Sequence, residues 1–306
     1  MIGDTVVVTG GAGFLGSHLA EALRAQGRRV RVVDNFATGR RSNVPAGAEL
    51  LEGDVNDVAA EALRGASEVY HLAALPSVPG SVQQPLENHR ATAQSTLALL
   101  AAAERAGVRR LVFASSSAVY GDRPVLPKRE SMAPEPASPY AAAKLSGELY
   151  AASWASRGAL ETVSLRFFNI YGPRQDPDSP YAAVIPIFSR RLREGKPMPV
   201  YGDGGQTRDF IHASDAVRAL LLAGSVPGIS GRVYNIAGGT PVSVLDMGRT
   251  LARLMGKAPD FEFLGPRPGD VRDSFADVGA ARGDLRFAAA LSLDEGLRQT
   301  LEWTGP

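Results

Sequence analysis

The chain of 306 residues contains no cysteine, which excludes disulfide bonds and thiolate chemistry. Its four histidines, His18, His71, His89 and His212, lie far apart and have none of the spacings of a zinc site, so we expect no bound metal. Charge of one sign is also missing, because 33 basic residues stand against 32 acidic ones. This balance offers no electrostatic footprint for nucleic acid or an anionic membrane surface, and we expect neither as a partner.

The sequence also predicts neither a leader segment nor a membrane-spanning run. The first residues, MIGDTVVVTGG, lack a basic start and a long apolar stretch, so no signal peptide is visible. The most apolar helical run, TLALLAAA, stops at Glu104 and is too short to span a bilayer. We therefore expect a cytoplasmic protein of one or two domains with a sizeable core.

The first half of the chain alternates strand and helix signals. β-Branched runs such as TVVVTG and RRVRVVDN alternate with segments of helical apolar spacing such as FLGSHLAEALRAQG, which Gly27 should end. The segment PLENHRATAQSTLALLAAAERAG is predicted to form one long helix. Strands alternating with helices imply right-handed crossovers, so we predict an α/β fold with a doubly wound parallel sheet of the Rossmann type.

This alternation ends after Gly172. The segments PRQDPDSP, GKPMPVYGDGGQ and FLGPRPGD are rich in proline, glycine and aspartate, with short helices between them. They predict a smaller, loop-rich C-terminal domain over residues 170–306, after a first domain over residues 1–169. The segment RVYNIAGG is predicted to return to the first sheet, within a stretch near residues 210–237.

A glycine-rich turn, VVVTGGAGFLGSHL, follows the first predicted strand and opens the first predicted helix. Gly10, Gly13 and Gly16 are spaced three apart, and Gly11, Gly13 and Gly16 satisfy G-x-G-x-x-G. Glycine lets the backbone approach a pyrophosphate, which the free N–H groups and positive dipole end of the helix favour. Asp34 ends the next strand about 20 residues on, where a carboxylate accepts hydrogen bonds from ribose hydroxyls.

The acidic Asp34 would repel a 2′-phosphate and so favours NAD over NADP, although Arg40 and Arg41 leave NADP open. The segment EGDVND suggests contacts with adenine, and HLAA ends the fourth strand, where it either faces the cofactor or is plain core. The residues of these segments predicted to bind the cofactor are Gly10, Gly13, Phe14, Leu15, Gly16, Asp34, Asn35, Phe36, Thr38, Gly39, Asp54, Val55, Leu72, Ala73 and Ala74.

The stretch SPYAAAK places a phenol and an ammonium group one helical turn apart. Ser138 suits a helix N-cap and Pro139 the first helical position, so Tyr140 and Lys144 share one face. Taken alone, this is also how an ordinary alanine-rich helix begins. An ammonium close to a phenol lowers the phenol's pKa, which helps a tyrosine to act as a base.

A serine cluster, FASSSAVYG, lies at the carboxyl end of another predicted strand, the edge where open α/β sheets bind ligands. A hydroxyl there would pass a proton between a substrate hydroxyl and Tyr140. With the glycine turn, Asp34, Tyr140 and Lys144, this cluster resembles the extended short-chain dehydrogenase/reductase superfamily. The segments LRFFNIYGPRQDP, VYGDGGQTRDFIH and RPGDVRDSFAD further resemble NAD-dependent nucleotide-sugar epimerases, especially UDP-hexose 4-epimerases.

The resemblance covers essentially the whole chain, with its motifs in the right order. It implies an isomerase that interconverts UDP-glucose and UDP-galactose, and their N-acetylated counterparts, by transient hydride transfer to tightly bound NAD. It also implies a homodimer that pairs the helices at about 88–106 and 140–157, by analogy with the family.

The resemblance assigns roles residue by residue. The catalytic residues would be Ser116, Tyr140 and Lys144, with Ser115 and Ser117 as neighbouring candidates. Tyr140 and Lys144 would also bind the cofactor, Lys144 at the nicotinamide ribose. Asn169, Arg208 and Arg267 match positions at the UDP diphosphate, Tyr201, Ala183 and Val184 positions at uracil, and Asp270 one near the UDP ribose. Ser274 matches a position against C2 of the sugar, where a small residue leaves room for an N-acetyl group. Plainer roles remain for two of them: Arg267 could form a surface salt bridge, and Tyr201 could pack at a domain interface. The residues predicted to bind substrate are Pro76, Ser77, Ser116, Asn169, Ala183, Val184, Tyr201, Arg208, Arg267, Asp270 and Ser274.

The chain departs from relatives at two positions, with Thr92 where many have asparagine and Pro76 where some hexose epimerases have lysine. The loop LPSVPGS resembles that of members that accept N-acetylated sugars. A 4,6-dehydratase would have Asp-Glu where this chain has Ser117 and Ala118. Uronate epimerases often have threonine at Asn169 and arginine at Asp176. A non-catalytic NAD-sensing regulator would have lost the Tyr/Lys/Ser set.

Overall fold

A computed structural model describes residues 4–176, 183–265 and 271–304. Its strands are β1 (Thr5–Thr9), β2 (Arg29–Asp34), β3 (Glu49–Glu52), β4 (Ala66–His71), β5 (Arg110–Ser116), β6 (Glu161–Phe167), β7 (Asn169–Tyr171), β8 (Met198–Tyr201), β9 (Thr207–His212), β10 (Arg232–Ile236), β11 (Pro241–Ser243), β12 (Phe261–Leu264) and β13 (Asp273–Ser274).

The α-helices are α1 (Phe14–Ala25), α2 (Val55–Ala62), α3 (Val78–Gln83), α4 (Pro85–His89), α5 (Ser95–Ala106), α6 (Pro139–Ser156), α7 (Val184–Arg193), α8 (Ala213–Ser225), α9 (Val244–Leu254), α10 (Gly279–Asp284) and α11 (Leu293–Thr304). Two short 3₁₀ segments, Arg41–Asn43 and Ser117–Tyr120, and a π-helical segment, Arg90–Gln94, complete the helical structure of the described ranges.

Seven parallel strands form the central sheet, in the order β10-β6-β5-β4-β1-β2-β3. Helices cover both faces: α1 and α8 pack together on one, and α2, α5 and α6 on the other. The three central valines of β1 are fully buried, with Val6 and Val8 in one core cluster and Val7 in the other. This two-sided burial is what a doubly wound parallel sheet requires, and the predicted fold class is confirmed.

A second region follows the sixth strand of the chain. Strands β7, β9, β11 and β13 form a four-stranded sheet, and β8 pairs with β12. They pack with α7, α9 and α11 around a separate core that includes Phe188, Met198 and Met247. Strand β10 lies in the first sheet, beside β6. The domain boundary at residues 169 and 170 stays a prediction.

The helix predicted as one unit after the fourth strand is interrupted. The chain passes from α4 into α5 through the π-helical segment, which widens the helix for one turn. Thr92 lies in that segment, fully buried, and its hydroxyl has no hydrogen-bond partner within the described residues. The periodicity of apolar residues carried no sign of this widening.

Two negative findings concern the described ranges alone. None of their helices combines the length and apolar character needed to cross a bilayer. They also contain no group of three or more His, Cys, Asp or Glu side chains that could hold a metal ion.

Candidate active site

The candidate residues of the first half gather at one edge of the sheet. Because the strands are parallel, their carboxyl ends lie on the same side. Gly10 follows β1, Asp34 ends β2, Leu72 follows β4 and Ser116 ends β5. Asn169 begins β7 two residues after β6 ends. Five separate segments thus meet where such sheets bind ligands.

The glycine-rich turn packs too closely for any side chain at two positions. Gly10 has φ of +68°, and a Cβ there would lie 2.8 Å from the backbone nitrogen of Ala73. A Cβ on Gly16 would lie 2.1 Å from the Gly10 carbonyl oxygen. Glycine therefore brings the start of α1 against the ends of β1 and β4. The result is a cradle of bare backbone that fits the pyrophosphate of a dinucleotide.

The Asp34 carboxylate is held in place by the backbone around it. Its Oδ2 accepts a hydrogen bond from the amide of Ala12 (2.9 Å), and its Oδ1 accepts one from the amide of Phe36 (2.8 Å). A carboxylate can accept about four hydrogen bonds, so acceptor sites remain for a ribose diol. This oriented acceptor beside the glycine turn fits the adenosine ribose of NAD.

The two arginines that left NADP open both have carboxylate partners. Arg40 Nη2 lies 2.9 Å from Asp176 Oδ2, and Arg41 pairs with Glu52. The guanidinium of Arg41 also lies 4.6 Å from the ring centroid of Phe36. A 2′-phosphate would need these two guanidinium groups as partners. Both are already paired with carboxylates, which is consistent with NAD.

The other predicted cofactor residues line the same edge. Asp54 caps α2 by accepting a hydrogen bond from the Asn56 amide (2.9 Å), which gives its carboxylate a structural role as well. Gly39 lies close to Asp34, because a Cβ there would be 2.9 Å from Asp34 Oδ1. Phe14, Leu15 and Val55 begin helices, while Asn35, Phe36, Thr38, Leu72, Ala73 and Ala74 lie in the loops after β2 and β4.

A buried hydrogen-bond chain through His71 supports this cradle. Thr9 Oγ1 accepts from the Ala73 amide (3.3 Å) and donates to His71 Nδ1 (2.7 Å). His71 Nε2 donates to Thr96 Oγ1 (3.0 Å), which itself donates to the Thr92 carbonyl (2.6 Å). The Thr96 hydroxyl gives its one proton to the Thr92 carbonyl, so His71 Nε2 must carry a hydrogen. Burial lowers the pKa of His71 to about 3, so the ring is neutral at ordinary pH and its Nδ1 accepts from Thr9. The sequence reasoning gave this histidine no role.

Tyr140 and Lys144 lie on α6 as the sequence predicted. The Ser138 hydroxyl caps the helix by accepting from the Ala141 amide (3.2 Å), and Pro139 is its first residue, so both of these predictions are confirmed. Tyr140 and Lys144 are buried, and Lys144 Nζ donates to the Ala114 carbonyl oxygen (2.7 Å). The same Nζ lies 6.0 Å from the centroid of the Tyr140 ring.

The predicted direction of the tyrosine pKa is wrong. Burial raises the pKa of Tyr140 above its usual value, and hydrogen bonding with Ser116 only partly opposes this. Burial also lowers the pKa of Lys144 to about 7, against the Glu148 carboxylate, which favours the charged form. The enclosure that holds the two groups together thus weakens the ammonium that was expected to stabilise the phenolate.

The three serines of the cluster have different surroundings. Ser115 points into the core, where its hydroxyl donates to Glu148 Oε1 (2.5 Å). Ser116 Oγ accepts from the Ala118 amide (3.2 Å) and interacts with the Tyr140 phenol. Ser117 begins the 3₁₀ segment. Of the three, Ser116 is therefore the serine that the fold brings to the tyrosine.

The sequence reasoning also missed a buried ion pair behind the serines. Arg166 on β6 donates from Nη2 to Glu148 Oε2 (2.7 Å) and from Nε to Oε1 (2.9 Å). Both side chains are 5% exposed. Glu148 follows Lys144 by one helical turn on the same face, which is the signal that could have pointed to it.

The predicted substrate residues of the second region are only partly brought together. Arg208 on β9 and Ser274 on β13 are register partners in adjacent parallel strands. Arg208 Nη1 donates to the Thr207 carbonyl oxygen (2.8 Å). Tyr201 ends β8 and is 39% exposed, and Asn169 is exposed at the start of β7. Arg267 and Asp270 lie outside the described residues.

The remaining substrate candidates sit at helix starts. Ser77 caps α3, since its hydroxyl accepts from the Gly80 amide (2.8 Å), and Pro76 is exposed just before it. Ala183 caps α7 and Val184 is its first residue. A capping hydroxyl has less freedom to bind a sugar, so the structure gives Ser77 a local role of its own.

Comparisons with known proteins agree with this geometry. Residues 6–237 match the model of the NAD dependent epimerase/dehydratase family. The chain is 36% identical to a UDP-glucose 4-epimerase of Mycolicibacterium smegmatis, over 97% of both chains.

Solved structures show the same likeness. A UDP-N-acetylglucosamine 4-epimerase from Methanobrevibacter ruminantium M1, in complex with UDP-N-acetylmuramic acid, superposes with a TM-score of 0.94 at 37% identity, over 99% of both chains. The protein MoeE5, in complex with UDP-glucuronic acid and NAD, gives a TM-score of 0.88 at 42% identity, over 98% of both chains.

Proposed function

The chain belongs to the NAD-dependent epimerase/dehydratase family, with NAD as cofactor, and on that premise we propose that it is a UDP-hexose 4-epimerase. Its substrates would be UDP-glucose and UDP-galactose, together with UDP-N-acetylglucosamine and UDP-N-acetylgalactosamine. The observation that carries the proposal is that Ser116, with Tyr140 and Lys144 against the end of β5, lies at the same carboxyl edge of the sheet as the glycine turn.

The proposed roles follow from the geometry. Tyr140, as a phenolate, takes the proton of the sugar 4-hydroxyl, with the Ser116 hydroxyl between or beside them. Because burial raises the pKa of Tyr140, the positive charges of Lys144 and of bound NAD would have to stabilise that phenolate. NAD, when bound, supplies a positively charged nicotinamide ring that accepts a hydride from C4 and later returns it. Lys144, held by the Ala114 carbonyl, places a partly charged ammonium near the phenol at neutral pH. The burial of Tyr140 and Lys144 keeps water away from the proton transfer.

A change of configuration at C4 would require the sugar to turn within the site while the nucleotide part is held. We assign nucleotide binding to the second region, with Asn169, Arg208 and Arg267 at the diphosphate and Tyr201, Ala183 and Val184 at uracil. Asp270 would bind the UDP ribose, and Pro76 and Ser77 would border the sugar. Exposed Asn169 and Tyr201 support this assignment, because both are accessible to a ligand.

One rival within the family is a 4,6-dehydratase. Elimination of water needs an acid and a base beside the catalytic serine. The chain has Ser117 and Ala118 there, and Ala118 contributes a backbone N–H that binds Ser116 Oγ. This absence of titratable side chains favours the epimerase.

A uronate epimerase is the second rival, because a UDP-glucuronic acid 4-epimerase from Bacillus cereus is 32% identical, whereas MoeE5 is described with both UDP-glucuronic acid and UDP-glucose. Asp176, where uronate enzymes often have arginine, is paired with Arg40 instead. Asn169 also differs from the threonine expected of them. We therefore rank UDP-glucuronate below the neutral hexoses.

A product assay tests the proposal. Purified protein is incubated with UDP-glucose, UDP-galactose, both N-acetyl counterparts, UDP-glucuronate and dTDP-glucose, and the sugars are identified by chromatography and NMR. Interconversion of C4 epimers without added NAD is expected, because NAD should copurify. Formation of a 4-keto-6-deoxy sugar would establish the dehydratase, and turnover of the uronate alone the uronate epimerase. Binding of NAD without any turnover would favour an NAD-sensing regulator.

We also propose that the protein is a homodimer assembled through α5 and α6. These helices pack side by side, and each leaves a leucine outside, with Leu97 36% and Leu149 63% exposed. Light scattering during size-exclusion chromatography should give twice the chain mass of 32.2 kDa. Leu149→Glu should halve it, whereas a wild-type mass of one chain would refute the dimer.

A further inference from the structure

One buried carboxylate connects the elements that carry the proposed proton chemistry. Glu148 lies on α6, one turn beyond Lys144 and two turns beyond Tyr140. Its Oε1 accepts from the Ser115 hydroxyl (2.5 Å) and from Arg166 Nε (2.9 Å), and its Oε2 accepts from Arg166 Nη2 (2.7 Å). The helix of the tyrosine is therefore bonded to the carboxyl ends of both β5 and β6.

The segment after Ser116 is held by the same group. The Arg166 guanidinium lies 4.7 Å from the ring centroid of Tyr120, the last residue of the 3₁₀ turn that follows Ser116. The Tyr120 hydroxyl donates to Asn235 Oδ1 (2.7 Å) on β10. The backbone that carries Ser116 is thus fixed on both sides, by Ser115 before it and by Tyr120 after it.

Stability alone does not account for this arrangement. An enclosed ion pair loses hydration on both partners, and apolar residues of similar size are often as stable in its place. The pair lies behind the one serine that faces Tyr140, and its carboxylate also favours the charged form of Lys144. The position of the pair next to the proposed reacting groups therefore points to a role in the reaction.

We propose that Glu148 is a positioning residue of the reaction: through Ser115 and Arg166 it holds the Ser116 hydroxyl in place against the Tyr140 phenol. This inference rests on the proposed function. Glu148 has no contact with the reacting atoms in this scheme, because Ser115 and Arg166 lie between. Its loss would therefore slow turnover and leave ligand binding unchanged.

The test compares Glu148→Gln and Ser115→Ala with a matched control. Three donor groups face the carboxylate, so an amide must turn its N–H₂ toward a guanidinium donor in either orientation. Ser115→Ala removes one hydrogen bond and leaves the ion pair intact, so it should fold. Glu161→Gln is the control, because Glu161 pairs with Arg110 at the other end of the same two strands.

We expect Glu148→Gln to lower kcat by about 10- to 100-fold, as a small misplacement of reacting groups does. KM for the UDP-sugar and the amount of bound NAD should stay at the wild-type level. Ser115→Ala should lower kcat less, and the double variant should be no slower than Glu148→Gln alone, because both act through one bond. Glu161→Gln should lower Tm without lowering kcat.

Several results would overturn the inference: a kcat for Glu148→Gln equal to that of Glu161→Gln, a rise in KM at unchanged kcat, or effects of the two variants that multiply. If Glu148→Gln does not fold, Ser115→Ala decides, and an unchanged kcat refutes the idea. The proposed function fails separately, on wild-type protein. In that case the variants are compared on whichever sugar nucleotide the wild type converts.

Discussion

The two ends of the β5–β6 strand pair carry the same chemistry in different surroundings. Arg110 and Glu161 begin the two strands, and Arg166 with Glu148 lies near their carboxyl ends. Glu161 is 42% exposed, whereas Glu148 is 5% exposed. Water reaches the Glu161 carboxylate, although the Arg110 side chain is only 2% exposed, so we expect the first pair to contribute to local stability alone. The two pairs differ in the enclosure of the carboxylate and not in the pairing, and the role proposed for Glu148 depends on that enclosure.

The largest effect is expected at the enclosed phenol. Tyr140→Phe keeps the ring and removes the acid/base oxygen, so kcat should fall about 10²–10⁴-fold with UDP-sugar binding retained. Tyr150→Phe, a less buried tyrosine on the same helix, should be nearly neutral. Steady-state kinetics and calorimetric binding measure both variants. Equal kcat values for the two variants would show that the enclosed Tyr140 hydroxyl is not the acid/base group.

The enclosed His71 side chain should make the stability of the protein depend on pH. The pKa of His71 is about 3 in the folded protein against an ordinary 6.5, so the unfolded chain takes up its proton first. The stability due to neutral His71 is therefore complete above pH 6.5 and lost as pH falls toward 3, by up to roughly 5 kcal/mol at 1.36 kcal/mol per pH unit.

Denaturant unfolding between pH 7 and pH 4 measures this dependence. His71→Gln should be less stable at pH 7 and should lose less stability on acidification than the wild type. Exposed His89→Gln is the matched control and should follow the wild-type curve. A wild-type slope in His71→Gln would show that this histidine is not held neutral by the fold.

Asp34→Asn tests the buried carboxylate that is proposed to bind the cofactor. A hydrogen bond to a charged acceptor contributes about 1.5–3 kcal/mol, so loss of the charge should weaken NAD binding roughly 10- to 100-fold. Asp57→Asn, on the exposed face of α2, should leave NAD binding unchanged. NAD released by denaturation and the Kd of the stripped protein are the readouts. A preference of the wild type for NADP would contradict the role given to Asp34.

The smallest effect is expected on the preference of the enzyme for one sugar over another. Ser274 is small and lies beside Arg208 in register. The resemblance places it against C2 of the sugar, and under that proposal a tyrosine there would take the space of an N-acetyl group. Ser274→Tyr should lower kcat/KM for the N-acetylated sugars by roughly tenfold, and the plain hexoses serve as the internal control. If all four sugars change alike, Ser274 does not select the sugar.

Sequence alone predicted the features that depend on neighbouring residues. The Ser138 cap, the Pro139 start of α6 and the alternation of strands and helices were confirmed because each is encoded within a few residues. The link between Ser115 and Glu148 joins residues 33 positions apart, and no local pattern announces it. The direction of the Tyr140 pKa was missed for a related reason, since it depends on how deeply α6 is buried.

The candidate site shows the same difference between locally encoded and long-range features. The glycine turn and Asp34 were predicted together, and the fold places them at one edge. The proposed substrate residues lie on loops and short strands, and each was identified from a single position in its motif. Their roles therefore stay predictions, and those of Arg267 and Asp270 lie beyond the described residues.

The return of β10 to the first sheet has a consequence for how the protein is made. β10 pairs with β6 from Arg232↔Val163 to Ile236↔Phe167, so β6 has a neighbour on that side only after residue 236 has been synthesised. Until then, or in a fragment that stops at residue 169, β6 presents a row of unsatisfied amides and carbonyls. Such an open edge invites pairing with another chain. The cofactor-binding half, although it looks self-contained along the sequence, should therefore be a poor candidate for expression by itself.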